Sequence, residues 1–309
     1  MACRIKAEEL DSIPQIDRRL PAREIGAATS LLPQRYQKEA TQALKRAGKN
    51  ASELAQAIRL LSPKQREGLA FLLVNMPRRD LTSLSGAFLV DNVRLAYQVR
   101  EEVSWGTMIP EEIFLNDVLP YSSVNERRDN WRSEFYKRFL KMAQESGSME
   151  KAVKRLNEEV FAQLHVQFHS VKRPKPDQSP YETIRAGYAS CTGLSILLVA
   201  ALRSVGIPSR LAGIPLWPDQ SGNHTWVEVW DNGWHYIGAA EPGVYDETWF
   251  TKKVQAMDPA NRGFRIYAVS FQKTSLKFPC IWNPKISYVS AVDVTPAYQK
   301  TPALESPSN

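Results

Sequence analysis

The chain has 309 residues, of which 43% are hydrophobic and 24% are charged, and these ordinary globular proportions allow a sizeable core in one or two domains. No apolar run reaches the roughly 18 residues of a membrane-spanning helix, so no transmembrane segment is predicted. The net charge of +7 (40 Lys and Arg minus 33 Asp and Glu) predicts weak attraction to anionic surfaces, but without interleaved aromatic residues it predicts no specific nucleic-acid partner.

The cysteines are few and widely separated. Cys3, Cys191 and Cys280 are odd in number, so they predict no disulfide framework. No cysteine or histidine cluster has the spacing of a metal site, and no cofactor is expected. No hydrophobic signal region surrounds Cys3. Two interpretations stay open: a cytoplasmic start, or an exported protein with its signal removed that is secreted, periplasmic or lipid-anchored through Cys3.

Helical signals dominate residues 1–125. Ser62 can cap a helix that has Pro63 at its first position and Gln65 completing a capping box. Further along, Asp129 is a candidate cap for an aromatic-faced helix, and Ser148 can begin the next. The sequence therefore predicts a helical N-terminal region.

Three parts of the chain are predicted. The helical N-terminal region covers residues 1–125, an α+β region covers 126–295, and a polar, proline-containing tail covers 296–309. The composition of the tail predicts flexibility.

Cys191 lies at the start of an apolar helix. Small residues precede it, leucines follow at helical spacing, and Gly206 and Pro208 end the run. Because a helix N-terminus favours negative charge, this position predicts a lowered thiol pKa and a nucleophile near neutral pH. The alternative is a buried, inert cysteine.

A histidine follows on a later strand. Residues 209–217 read as a β-segment, a polar loop follows, and His224 opens a strand that ends near Asp231. A thiol, then a histidine, then a further polar group is the order expected of a nucleophile, its base and an orienting residue.

These stretches resemble a known family. The residues Ser190-Cys-Thr-Gly-Leu-Ser195, Leu202-Arg-Ser-Val-Gly-Ile-Pro-Ser-Arg210, His224-Thr-Trp-Val-Glu-Val-Trp230 and Gly233-Trp234 are similar to the core of the transglutaminase-like superfamily. That superfamily includes transglutaminases, peptide N-glycanases and bacterial thiol peptidases on a papain-like fold. The resemblance is strongest over residues 179–242. It implies an α+β fold with a catalytic helix packed on an antiparallel sheet, and it specifies fold better than substrate.

The resemblance implies thiol-dependent acyl transfer on a peptide, glycopeptide or other amide. Cys191 would attack the carbonyl, His224 would protonate the leaving amine, and Trp217, Trp226 and Trp234 would wall the substrate groove. A peptidase or amidase reaction is favoured over protein cross-linking because no calcium loop is recognisable. A cross-linking transglutaminase and a non-catalytic binding or scaffold module remain alternatives.

The usual third catalytic residue is missing. The family places an aspartate four residues after Trp234, where this chain has Gly238. If Asn232-Gly233 forms a two-residue hairpin turn, residue 231 pairs with residue 234, and His224 lies opposite Glu241. The sequence therefore predicts Glu241 as the residue that orients the imidazole.

Overall fold

Helices make up the first half of the molecule. The computed structural model describes residues 19–258, 260–261 and 263–299, so Cys3 lies outside the described residues. The helices before the sheet are α1 (Ala22–Thr29), α2 (Gln34–Ala47), α3 (Ala51–Leu60), α4 (Pro63–Asn75), α5 (Arg78–Leu81), α6 (Gly86–Glu102), α7 (Glu111–Ile113), α8 (Arg132–Glu145) and α9 (Met149–Gln163). A 3-10 turn covers Gly48–Asn50, and a π-helical turn covers Phe114–Val118.

Two of the three predicted helix caps are confirmed. Ser62 forms the capping box of α4 with Gln65, and the Ser148 side chain caps α9. The prediction for Asp129 is wrong, because α8 begins at Arg132 without a side-chain cap. Asp129 instead accepts a hydrogen bond from the Tyr181 N–H at 2.8 Å, so it joins two elements.

An antiparallel sheet forms the second half. The remaining elements are β1 (Gln167–Phe168), α10 (Pro180–Ala186), β2 (Tyr188–Ala189), α11 (Cys191–Ser204), β3 (Ser209–Ile214), β4 (His224–Trp230), β5 (Trp234–Ile237), α12 (Thr251–Gln255), β6 (Tyr267–Ser270) and β7 (Ser290–Asp293). The strand order is β5-β4-β3-β6-β7, and β1 and β2 form a separate parallel pair. This mixture of helices and antiparallel sheet confirms the predicted α+β class.

Helix α11 is the centre of the core. Its residues from 192 to 204 are all buried, which is expected of a helix that is apolar on all sides. The helix packs on β3 and β4 on one side and on α8 and α9 on the other. One apolar cluster runs from Ile25 in α1 to Ala291 in β7, so the N-terminal helices and the sheet share a core.

The start of the predicted flexible tail is ordered. Residues Thr295–Gln299 form a 3-10 turn in which the buried Tyr298 donates a hydrogen bond to Glu228 Oε1 at 2.7 Å. The same hydroxyl accepts a hydrogen bond from Trp226 Nε1 at 2.7 Å. The prediction of a flexible tail is therefore corrected up to residue 299, and residues 300–309 lie outside the described residues. None of the described helices has the length and apolar character needed to cross a membrane.

Candidate active site

Cys191 is the first residue of α11, as the sequence predicts. The strand β2 ends two residues earlier and packs closely on the first helical turn, because Gly193 has no side chain. A Cβ at Gly193 would lie 2.8 Å from the Cβ of Ala189, which is closer than real Cβ contacts allow. The close packing of β2 on the first turn of α11 thus fixes the position of the thiol.

His224 is the first residue of β4 and lies opposite Ile214 of β3. Two hydrogen bonds join this strand to the start of α11. Thr192 Oγ1 donates to Thr225 Oγ1 at 3.1 Å, and Ser195 Oγ donates to the Thr225 carbonyl at 3.4 Å. Thr192 and Thr225 were not identified from the sequence as site residues. Each directly follows a predicted catalytic residue, and this position is the sequence feature that could have indicated them.

The three predicted catalytic residues line one cavity of about 770 Å³. This volume is within the range of small-molecule and substrate sites, roughly 300 to 1,000 Å³. Aromatic rings and cationic side chains form much of the rest of the wall, namely Phe168, Trp217, Trp249, Trp282, Arg173 and Lys253. In the described part of the chain, no group of three or more His, Cys, Asp or Glu residues is placed to hold a metal ion.

Burial dominates the ionisation of the thiol. It raises the pKa of Cys191, and hydrogen bonds from Thr225 and Thr192 offset only part of this effect. The prediction of a lowered thiol pKa is therefore wrong for the free protein, because desolvation of the thiolate outweighs these hydrogen bonds.

His224 is also uncharged at neutral pH. Burial lowers its pKa from 6.5 to about 4, and its Nε2 is buried without a hydrogen-bond partner among the described residues. A neutral imidazole can accept a proton, so the pair consists of a protonated thiol and an available base.

The predicted pairing of His224 with Glu241 is wrong. Trp230 pairs with Trp234, so three residues form the hairpin loop and the register differs by one. Asn232 takes a positive φ of 57° in this loop. The strand β5 also ends at Ile237, before it could place residue 241 opposite the imidazole.

Glu241 reaches the cavity from the turn that follows β5. A Cβ at Gly238 would lie 2.5 Å from Glu241 Cδ, so the Glu241 carboxyl group occupies the space that a side chain at residue 238 would take. Its Oε1 accepts a hydrogen bond from Trp249 Nε1 at 3.1 Å. Trp249, in turn, has its ring centroid 5.0 Å from that of His224. Glu241 therefore contacts the imidazole indirectly, through a tryptophan.

The predicted tryptophan wall is only partly correct. Trp217 lines the cavity, but Trp226 is fully buried and stacks under Trp217 with ring centroids 6.3 Å apart. Trp234 lies away from the cavity, with the Arg210 guanidinium 3.6 Å from its ring centroid. Trp249 and Trp282 line the cavity instead. Both lie in irregular segments, so no periodic pattern in the sequence predicts their place in the cavity wall.

Comparison with known proteins confirms the resemblance in sequence. Residues 138–239 match the model of the transglutaminase-like superfamily, so the chain carries a transglutaminase-like core over this range. The search of curated proteins gave no match. Together with Cys191 and His224 in one cavity, the family match supports a thiol-dependent enzyme as the general class.

A solved structure from Cytophaga hutchinsonii, described as a "putative cysteine protease", is similar in part. It is 17% identical, and the match covers 53% of this chain and 58% of that chain with a TM-score of 0.29. The chain thus spans less than two thirds of that protein's length.

Proposed function

We propose that the protein is a thiol-dependent acyl-transfer enzyme that hydrolyses a peptide or related amide. The observation that carries the proposal is the shared cavity of Cys191 and His224. The elements that begin with these residues, α11 and β4, are joined next to the site by the hydrogen bond from Thr192 to Thr225.

The reaction has two halves. In the first, the thiol proton passes to His224 while Cys191 Sγ attacks the amide carbonyl carbon. The backbone N–H groups of Cys191, Thr192 and Gly193 precede the first helical hydrogen bond of α11, which Leu194 donates, and are suited to stabilise the oxyanion. The C–N bond then breaks, and the imidazolium gives its proton to the leaving amine. In the second half, water attacks the thioester, and the acid and the free thiol are released.

His224 enters the reaction as a neutral imidazole. With a pKa of about 4, His224 is unprotonated at neutral pH and can accept the thiol proton during attack. We assign Trp217 to the substrate wall and Glu241 to positioning, since Glu241 holds Trp249 against the imidazole.

One alternative has support of its own. The raised pKa of the half-buried Cys191 thiol and the glycine at residue 238 favour a non-catalytic binding module. A cross-linking transglutaminase would use the same thioester and differ only in accepting an amine in place of water.

The test is to trap the acyl enzyme. The protein is incubated with peptide, glycopeptide and cell-wall fragment mixtures, quenched in acid and measured by intact mass. We expect an acyl adduct on Cys191, absent in Cys191→Ser, and free acid products.

Incorporation of an added fluorescent amine in place of hydrolysis would identify a transferase. A folded protein that forms no adduct and no product with any mixture would support the binding module.

A further inference from the structure

Arg173 is a cation in the wall of the Cys191 cavity. It lies in the loop between β1 and α10 and lines the same cavity as Cys191 and His224. One guanidinium nitrogen donates to the Ser170 carbonyl of its own loop. Among the described residues, no carboxylate lies within ion-pair distance of Arg173, and its buried Nε has no hydrogen-bond partner. Its charge is thus uncompensated.

The second cation that lines the cavity, Lys253, already has an anionic partner. Lys253 forms an ion pair with Asp219 at 2.8 Å and a hydrogen bond with Ser221 at 3.0 Å. Glu241 accepts the hydrogen bond from Trp249. Arg173 therefore supplies the positive charge that is available to a ligand.

We propose that Arg173 binds a carboxylate of the substrate, so that the enzyme acts on amides that carry a carboxylate close to the scissile carbonyl. This inference rests on the proposed acyl transfer at Cys191 and specifies the substrate class. The guanidinium presents a planar set of donors that matches a carboxylate with two parallel hydrogen bonds.

Arg173 also acts on the thiol. The pKa of Cys191, raised chiefly by burial, is lowered in part by the Arg173 charge. Stabilising the thiolate alone would explain a cation here without any substrate carboxylate. The two roles differ in one respect: thiolate stabilisation changes reaction with every electrophile equally, whereas carboxylate binding favours anionic electrophiles.

The alkylating reagents iodoacetate and iodoacetamide distinguish thiolate stabilisation from carboxylate binding. The first carries a carboxylate where the second carries a neutral amide. Both react by the same displacement, in which the Cys191 sulfur forms an S–C bond and iodide leaves. Rates at the Cys191 peptide are measured by mass spectrometry in the full chain, in Arg173→Gln, in Arg173→Lys and in Lys172→Gln. Lys172→Gln is the matched control, because this substitution removes the same charge from the same loop. The Lys172 side chain contacts Tyr188, outside the cavity.

We expect the ratio of iodoacetate to iodoacetamide rates to fall about tenfold in Arg173→Gln, equivalent to about 1.4 kcal/mol, which is within the range for a hydrogen bond to a charged group. Arg173→Lys should keep part of the preference, and Lys172→Gln should keep all of it. An equal slowing of both reagents in Arg173→Gln, with an unchanged ratio, would overturn the proposal and leave thiolate stabilisation.

A second measurement does not need the thiol. In Cys191→Ser, N-benzoylglycine and its amide are titrated against tryptophan fluorescence, to which three cavity residues contribute among the eight tryptophans of the chain. The carboxylate should bind about tenfold more tightly than the amide, and Arg173→Gln should abolish the difference. If iodoacetamide leaves Cys191 unmodified, acyl transfer is contradicted, while this titration still decides the role of Arg173: equal binding of the two ligands would overturn it.

Discussion

At the scale of single residues, the position of the Glu241 carboxyl group in the site depends on the absence of a side chain at Gly238. Gly238 stands where the family resemblance implies an aspartate, and the carboxyl group of Glu241 fills the space left by the missing side chain. The carboxylate is thus retained in the cavity by a residue three positions later. The Glu241 carboxylate accepts a hydrogen bond from Trp249, whose ring packs against His224. Glu241 is therefore connected to the imidazole through the indole ring.

Two substitutions of Glu241 distinguish positioning from charge. Glu241→Gln keeps an oxygen that can accept the Trp249 N–H, so we expect near-normal turnover. Glu241→Ala releases Trp249 and should lower turnover about tenfold, the approximate value of one hydrogen bond.

The pH profile gives a readout that fold stability alone does not move. Because burial lowers the pKa of His224 to about 4, activity should be lost as pH falls through about 4, where the imidazole becomes protonated. In Glu241→Ala, water near the imidazole should raise this midpoint toward 6.5. Equal impairment in Glu241→Gln and Glu241→Ala would instead make Glu241 a direct charge partner. Rescue of Glu241→Ala by Gly238→Asp would show that the two positions are interchangeable.

At the scale of elements, the sequence predicted those parts whose signals are local. The cap of α4, the start of α11 at Cys191 and the start of β4 at His224 follow from capping residues and periodicity, and the structure confirms them. The hairpin register failed because two-residue and three-residue loops are both compatible with Asp231-Asn-Gly233, and a difference of one residue changes every pair. Trp249 and Arg173 lie in irregular segments, where only tertiary packing brings them to the cavity.

The hydrogen bonds between α9 and the turn after β5 also could not be predicted from local sequence patterns, because they join residues more than 80 positions apart. Asn157 is buried in α9 and donates to the carbonyls of Gly238 at 2.8 Å and Glu241 at 3.1 Å. Its side-chain oxygen accepts from the Ala240 N–H at 2.9 Å. These three hydrogen bonds hold a turn in which Ala240 has a positive φ of 62°. Asn157 is therefore a positioning residue for Glu241.

Asn157→Ala should lower the free energy of unfolding and displace Glu241. Buried backbone groups left without partners cost about 1–3 kcal/mol each, so we expect a loss of about 2 kcal/mol or more in urea unfolding. In the folded variant, turnover and its acid midpoint should change as in Glu241→Ala. Gln163→Ala, at an exposed position on the same helix, is the control. Lost stability with unchanged turnover and midpoint would show that the turn does not depend on Asn157 to place Glu241.

At the scale of the whole molecule, two buried arginines connect the segment of residues 117–122 to α11. Arg203 of α11 donates to the carbonyls of Asp117 and Ser122 at 3.0 and 2.9 Å. Arg132 of α8 donates to the carbonyl of Val118 at 2.8 Å and to that of Arg203 at 2.9 Å. Both guanidinium groups are buried, and burial lowers the pKa of Arg203 to about 10 and that of Arg132 to about 9. The hydrophobic core and this hydrogen-bond network therefore both extend across the boundary predicted at residue 125.

Removing residues 1–125 should prevent cooperative folding of the remainder, even though these residues supply no catalytic group. The deletion exposes the apolar surface of α8 and α11 and takes away backbone carbonyls that accept hydrogen bonds from Arg132 and Arg203, so the remaining chain loses part of its core together with these hydrogen bonds. We expect the truncated chain to bind a hydrophobic dye and to lose near-UV circular dichroism, while the full chain unfolds in one transition. Arg203→Met in the full chain separates the network from the core, because it should lower stability by about 3 kcal/mol and still unfold cooperatively. A truncated chain that unfolds cooperatively and is alkylated at Cys191 at the full-length rate would show that residues 126–295 are an independent domain.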